Sequence, residues 1–277
     1  MPSRLQRSRE IVRNKGIFSL IEKATSYLYS EIKWKLSTIH GRYRLQTTEG
    51  VAYYNPSKSE GSIKSRYRLE VDELDDFTTE LKSEDVVLDV GANTGLYSCF
   101  AASKCGNGHI IAVEPYPPNV PILEENLQMN GDNWDVYSVA LADLDGTTIE
   151  FNVPPEDRVG YGQGAISDEN SEKTITVESL NGDSLLERED IPQPSVVKID
   201  VEGTEPLVLD GLSATLSHES CRVVYCEIHF VNDTDRPSIK DFNTTEEGIR
   251  ELLKSHGFSV KTISERGTEI MLKGKKK

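Results

Sequence analysis

Short unbroken apolar runs alternate with stretches of helical spacing through most of this chain. Runs at 86–90, 110–114, 135–140, 195–200 and 222–229 have strand length and lack polar alternation, as strands covered on both faces do. Residues 96–102, 118–129 and 245–256 read as helices, with another starting near Pro206. The second of these has proline in its first turn and stops at Asn130-Gly131, and the third ends at Gly257. Residues 147–153 and 173–178 alternate instead, which predicts an inserted β-hairpin. The polar, Gly-rich stretch 158–170 between them is long enough for a functional lid or rim. A closing hairpin is expected from 259–263 and 269–272, around Arg266-Gly267. This alternation predicts an α/β fold, a Rossmann-like doubly wound sheet of seven strands.

Ahead of this core, residues 45–85 read as a short hairpin and a helix. Val51-Ala52-Tyr53-Tyr54 is strand-like, Asn55-Pro56 ends it as a turn, and 71–81 has helical spacing. Residues 1–44 stand apart as a basic amphipathic extension to a main domain of residues 45–277. Its apolar positions Ile17, Leu20, Ile21, Leu28, Ile32 and Leu36 have roughly helical spacing, with Lys23, Lys33, Lys35, Arg42 and Arg44 supplying a basic face. Such a helix can lie on an anionic membrane surface with Trp34 at the interface, or pack on the domain, or serve as a dimer arm.

The run Val86-Val87-Leu88-Asp89-Val90-Gly91-Ala92-Asn93-Thr94-Gly95 carries the first chemical signal. An apolar strand ends in an acid and a glycine turn follows. The next strand ends in a second acid, Glu114. A dinucleotide fingerprint would be G-x-G-x-x-G, with a pyrophosphate on the helix N-terminus. Here Asn93 holds the middle position and no P-loop lysine follows. Asp89 would repel a phosphate but suits a cationic amino-acid group. Glu114 suits the paired hydroxyls of a ribose. A ligand with an ammonium at one end and a ribose further along is S-adenosylmethionine.

The segments DVGANTG, AVEPYPPNVPILEENLQMNG, SVALADLDG and VVKIDVEGTEPLVLDG closely resemble the FkbM family of class I S-adenosylmethionine-dependent methyltransferases. The resemblance runs from about Asp85 to Ile228, and Lys198-Ile199-Asp200-Val201-Glu202-Gly203 is its most specific block. It implies O-methylation of sugars and other hydroxylated small molecules, and a mostly parallel sheet with one antiparallel strand. It also places Asp143 where relatives cover the adenine, and Tyr67 is placed as a cover for the methionine end. Two departures stand out. Leu180-Asn181-Gly182-Asp183 replaces a Leu-Asp pair, and Thr204 replaces an alanine.

Charge narrows the partners. The formal net charge is −15. Residues 1–44 hold ten Lys/Arg against three Asp/Glu, net +7, so the rest carries −22. So acidic a body repels nucleic-acid backbones, and no nucleic-acid partner is expected. Cys99, Cys105, Cys221 and Cys226 form no C-x-x-C pair and read as buried structural thiols. No apolar run approaches a membrane span, and no secretory signal precedes the domain. A cytoplasmic location is therefore expected, at the membrane face if the basic extension binds there. Oligomeric state is not legible.

Methyl transfer to a hydroxyl requires alignment and removal of a proton. Asp200 and Glu202, two apart at one strand tip, share a face if the strand persists. Glu227 and His229 repeat the spacing on the neighbouring tip. Two readings stand. His229 or Asp200 acts as a general base, the preferred version; or Asp200, Glu202 and Glu227 or His229 hold magnesium or manganese that acidifies the hydroxyl. Lys198 fits an ion pair with Glu202 equally well. The expected acceptor is a saccharide or similar polyhydroxylated molecule, including a lipid-linked surface glycan or its uronic acid, whose carboxylate would need no strong base. An NAD-dependent dehydrogenase and a non-catalytic scaffold with a relict cofactor fold are the alternatives. The missing G-x-G opposes the first, and intact Asp89, Gly91, Gly95 and Glu114 oppose the second.

Overall fold

The computed structural model describes residues 25, 36, 40–56, 62–152, 160, 174–230 and 237–277. The amphipathic reading of the N-terminal extension and the lid reading of the loop at 158–170 fall outside them, single positions apart.

A hairpin of β1 (Tyr43–Gln46) and β2 (Val51–Tyr54) opens the described fold, followed by helices α1 (Ser62–Leu69) and α2 (Val71–Glu80). The helix α1 was not anticipated; six of its eight residues are polar or charged. The core then runs β3 (Val86–Val90), α3 (Leu96–Lys104), β4 (His109–Val113), α4 (Val120–Gln128) and β5 (Trp134–Tyr137). After an insertion come β9 (Val196–Ile199), β10 (Val223–His229), β11 (Ser259–Arg266) and β12 (Glu269–Lys275).

These seven strands form one sheet in the order β11-β12-β10-β9-β3-β4-β5. β12 is antiparallel to both of its neighbours and the other pairings are parallel, as expected. The strand order reverses between β9 and β3, which opens the ligand crevice at their carboxyl ends.

Side-chain parity sorts the strands between two cores. Val87, Val196, Val223 and Tyr225 pack on one face with Phe77, Tyr97 and Phe100. Leu88, Val90, Val197, Ile199, Val224, Cys226 and Ile228 pack on the other, against α6 (Glu205–Gly211), α7 (Ser213–Ser217) and α8 (Glu246–Ser255). Asp89, Lys198, Glu227 and His229 therefore share the Tyr97 face. Burial on both faces explains the unbroken apolar runs. All four cysteines are free and buried, and burial pushes the Cys105 thiol up to about 12 and the Cys221 thiol to about 11. Among the described residues, no helix is long and apolar enough to cross a membrane.

The insertion differs from expectation. β5 stops at Tyr137, and Ala140–Ala142 forms a separate strand, β6. It pairs in parallel with β8 (Thr174–Asn181), which pairs antiparallel with β7 (Thr147–Asn152). The predicted hairpin is thus part of a three-stranded sheet. Residues 135–140 form one continuous apolar-leaning run in the sequence, which conceals the break between β5 and β6.

The departures at 181–183 have a structural use. Asn181 caps α5 (Gly182–Arg188) through the Ser184 N–H. A Cβ on Gly182 would meet Leu212 Cδ2 at 2.4 Å. Asp183 accepts from the N–H groups of Ala214 and Thr215 in the first turn of α7 (2.7 and 2.9 Å), where a carboxylate satisfies free donors.

Candidate active site

The glycine loop between β3 and α3 is shaped by close backbone contact. Gly91 has φ +81°, and a Cβ there would lie 1.9 Å from the Asp200 carbonyl oxygen. Gly95 has φ +91° and faces Leu123. Asn93 sits at φ 55°, a left-handed geometry that asparagine tolerates better than most residues. That turn aims its N–H at Glu114 Oε2 (2.8 Å).

Glu114 is 5 % exposed. Its Oε1 also accepts from the Tyr116 N–H (3.0 Å) and from Asn119 Nδ2 (3.1 Å). Burial raises its pKa, while these three donors favour the charged form. Asp89, 1 % exposed, accepts from Ser98 Oγ through Oδ2 (2.5 Å). Its Oδ1 lies 3.9 Å from Lys198 Nζ and has no hydrogen-bond partner among the described residues. Two further expected cofactor contacts fare differently. Tyr67 is turned away, since its hydroxyl donates to the Gln46 carbonyl (2.6 Å) on the β1–β2 hairpin. Its neighbour Arg66 reaches the strand tips instead. Asp143 is exposed just beyond β6, whereas Tyr116 packs against Ala140 and Val177.

Beside the cofactor loop runs an alternating chain of charges. Arg66 donates from Nε to Glu70 (3.0 Å) and from Nη2 to Asp200 Oδ2 (2.9 Å). Lys198 Nζ donates to the same Asp200 oxygen (3.0 Å) and lies 4.7 Å from the centre of the Tyr97 ring. Lys198 is thus paired with Asp200 and Asp89, and not with Glu202 as the spacing suggested. Burial alone would raise the Asp200 pKa, but Lys198 and Arg66 hold it well below the usual carboxylate range. A carboxylate so clamped does not take a proton near neutrality. The pairing of Asp200 with two cations opposes the role of base that its position suggested.

His229 is placed among carboxylates. Nδ1 is 2.7 Å from Glu205 Oε1, and Nε2 is 3.4 Å from Glu202 and 3.7 Å from Glu269. Burial favours the neutral ring, but Glu205 and Glu202 outweigh it and raise the pKa to about 10. The surrounding carboxylates thus favour the protonated ring, which opposes the expected role of a free base. Glu227 is buried and contacts Arg266, which also binds Glu73 and Glu269. Burial, with Asp200 and Glu70 nearby, pushes Glu227 up to about 8. Glu202 reaches the cluster by a route other than strand parity. β9 ends at Ile199, and a turn with Glu202 at φ 55° and Gly203 at φ 106° swings the side chain over.

These protonation states carry a sign. His229 binds its proton more tightly when folded, so its contribution is full below about pH 6.5 and is lost as pH rises through about 10. Glu227 also holds its proton more tightly when folded, so its contribution is full below about pH 4.5 and is lost as pH rises through about 8, in the same direction. With a chelator present, the urea midpoint is expected to fall from pH 6.5 to 10, and His229→Gln to flatten that fall. A midpoint independent of pH in the unaltered protein would count against the imidazolium.

Among the described residues, two groups of donors could hold a metal ion. Asp200, Glu202 and His229 offer donors within 4.8 Å of one another, and so do Glu227, His229 and Glu269. The first of these is the foreseen set in its His229 form; the form with Glu227 in place of His229 does not occur among the described residues. The carboxylate donors suit magnesium or manganese, whereas the imidazole in each group suits zinc, iron, nickel or copper; Asp200 Oδ2 is already taken by two cations.

Arg66, Glu70, Asn119, Glu205 and Arg266 are site residues that the sequence did not announce. The Arg66–Glu70 spacing of four was the one local signal. A cleft of about 530 Å³ around Glu84, His109, Asn133 and Asp135 lies at the opposite, amino end of β3–β5 and holds none of these residues.

Residues 89–260 match the family described as the methyltransferase FkbM domain. Over 150 residues the chain is 32% identical to the hexuronic acid methyltransferase AglP of Haloferax volcanii, covering 54% of this chain and 58% of that protein. It is 26% identical over 215 residues to the AMB antimetabolite synthetase AmbE of Pseudomonas aeruginosa, covering 65% of this chain and 10% of that one. The chain therefore spans little more than half of the first relative and a tenth of the second. A solved magnesium protoporphyrin IX methyltransferase from Synechocystis PCC 6803 aligns with TM-score 0.44 and 14% identity, over 78% of this chain and 85% of its own.

Proposed function

Because this chain belongs to the FkbM family of methyltransferase domains, we propose that it transfers a methyl group from S-adenosylmethionine to an oxygen of a saccharide acceptor. The observation that carries the cofactor assignment is the pair of buried acids at neighbouring strand tips. Asp89 presents a buried oxygen with no hydrogen-bond partner among the described residues, a costly arrangement unless a donor completes it. The α-ammonium of the cofactor is such a donor. Glu114, oriented by three donors, suits the ribose hydroxyls. Gly91 and Gly95 let the ligand lie close to the main chain. When bound, the sulfonium supplies the methyl group.

Within this reading the favoured acceptor is a uronic acid, methylated on its carboxylate. The hexuronic acid methyltransferase relative supports the substrate class. The protonation states support the reacting group. With Asp200 clamped by two cations and His229 protonated, neither is free to deprotonate a hydroxyl. A carboxylate oxygen needs no base. It attacks the methyl carbon in line, the carbon–sulfur bond breaks toward sulfur, and no proton moves. Asp200, Glu202, Glu227 and His229 then orient the sugar instead of activating it.

The test is methyl transfer from labelled S-adenosylmethionine to a glucuronate-containing oligosaccharide, with and without EDTA. A label released by mild alkali is an ester and is the expected product. An alkali-stable label would move the chemistry to a hydroxyl. Loss of transfer in EDTA, restored by magnesium or manganese, would establish the metal-assisted version. Tight binding of NADH without S-adenosylhomocysteine would overturn the whole reading.

A further inference from the structure

Asn119 occupies the residue before α4, where an asparagine would ordinarily cap the helix with its side chain. Here the side chain makes no cap bond. It is 1 % exposed, and both ends of the amide are used elsewhere. Nδ2 donates to Glu114 Oε1 (3.1 Å), and Oδ1 accepts from the Gly160 N–H (2.8 Å). Two features spare the amide for this. Pro121 in the first turn has no N–H to satisfy, and the Asn119 main-chain carbonyl already accepts from Ile122 and Leu123.

The bridge therefore links the short β4–α4 connection to a distant position inside the insertion between β7 and β8. Gly160 is itself buried and lies 41 residues from Asn119. A second contact joins the same regions, since Tyr116 packs against Ala140 on β6 and Val177 on β8. The insertion is thus tied to the cofactor side of the crevice by a buried hydrogen bond and an apolar cluster.

We propose that Asn119 is a positioning residue for the cofactor ribose, holding the Glu114 carboxylate in its diol-binding orientation and coupling that orientation to the insertion at Gly160. The inference rests on the S-adenosylmethionine reading of the site. A carboxylate with free rotation would present its remaining lone pairs in many directions. Held by the Asn93 N–H on one oxygen and by the Tyr116 N–H and the Asn119 amide on the other, it presents them in one. Such fixing lowers the cost of binding, because the ordering is completed before the ligand arrives.

The experiment measures binding of S-adenosylhomocysteine and its 2′-deoxyadenosyl analogue to the full chain by calorimetry, for the unaltered protein, Asn119→Ala, Glu114→Ala and the double variant. Asn119→Ala is expected to weaken S-adenosylhomocysteine about tenfold, the loss of one hydrogen bond to a charged group. It is also expected to narrow the preference for the ribose form over the deoxy form. In the Glu114→Ala background the same change should have no further effect on affinity. Equal weakening of both ligands, or additive losses in the double variant, would overturn the positioning role and leave Asn119 a packing residue. Melting temperatures without ligand identify a variant that has merely unfolded, and Asn119→Leu, which fills similar space without the amide, then carries the same comparison. If the unaltered protein binds neither ligand, the cofactor reading has failed, a result distinct from failure of the Asn119 role.

Discussion

Gly91→Ala is expected to destabilise the protein by about 3 kcal/mol or more and to abolish S-adenosylhomocysteine binding. Two costs add. The residue sits at φ +81°, a conformation that strains any side chain. Its Cβ would also lie 1.9 Å from the Asp200 carbonyl oxygen, and backbone cannot rotate aside as a flexible side chain can. Relief requires the glycine loop and the tip of β9 to separate. That separation would move Asp89 away from Lys198 and the loop away from Glu114, so stability and ligand binding should fall together. Urea denaturation and calorimetry check both. A variant that folds with normal stability and binds normally would show that the loop does not press on β9 in solution.

The second large effect is expected for Lys198→Met, at about 3–5 kcal/mol near neutral pH, the cost of removing one partner from a buried ion pair. Lys198 is 1 % exposed and stands between Asp89 and Asp200. Methionine fills similar space but leaves both carboxylates short of a cation. Arg66 still serves Asp200, while among the described residues Asp89 keeps only the Ser98 hydroxyl as a hydrogen-bond donor. Both carboxylates should then bind protons more readily than they do in the unaltered protein. The variant's deficit should therefore shrink as pH falls toward the ordinary carboxylate range. Urea midpoints across that range give the result. A deficit that does not change with pH would mean that lost packing, and not lost charge, explains it.

The two substitutions act on features of different legibility. Gly91 could be picked out from the chain because a glycine directly after a strand-terminal acid marks a tight turn. Its contact with Asp200 could not, since 109 residues separate the partners. Lys198 could be placed on the same face as Asp200 by counting in twos. Its pairing with Asp89 depends on β3 and β9 being neighbours in register, Asp89 opposite Lys198. The same counting failed for Glu202, because β9 had already ended. It served Glu227 and His229, which lie on a strand that runs through to its tip. Tyr67 illustrates a different limit. Neighbouring positions on a helix point to different sides, so Arg66 and not Tyr67 faces the strand tips.

Chemical state was less legible than position. A histidine and an aspartate at strand tips suggest a base. The surrounding charges, contributed by β9, α1, α6 and the β11–β12 hairpin, favour the anion on one and the cation on the other.

By itself, the amino-acid order determined the alternation of strands and helices, the mostly parallel sheet, the glycine turn and the acids at the ends of β3 and β4. These follow from local periodicity and backbone sterics, which act over a few residues. Tertiary structure alone decided the separate sheet of the insertion, the clamps on Asp200, the carboxylate cage of His229 and the bridge from Glu114 through Asn119 to Gly160. Each depends on side chains from distant segments meeting where water is excluded. There a single charge or hydrogen bond sets the protonation and orientation of its neighbour.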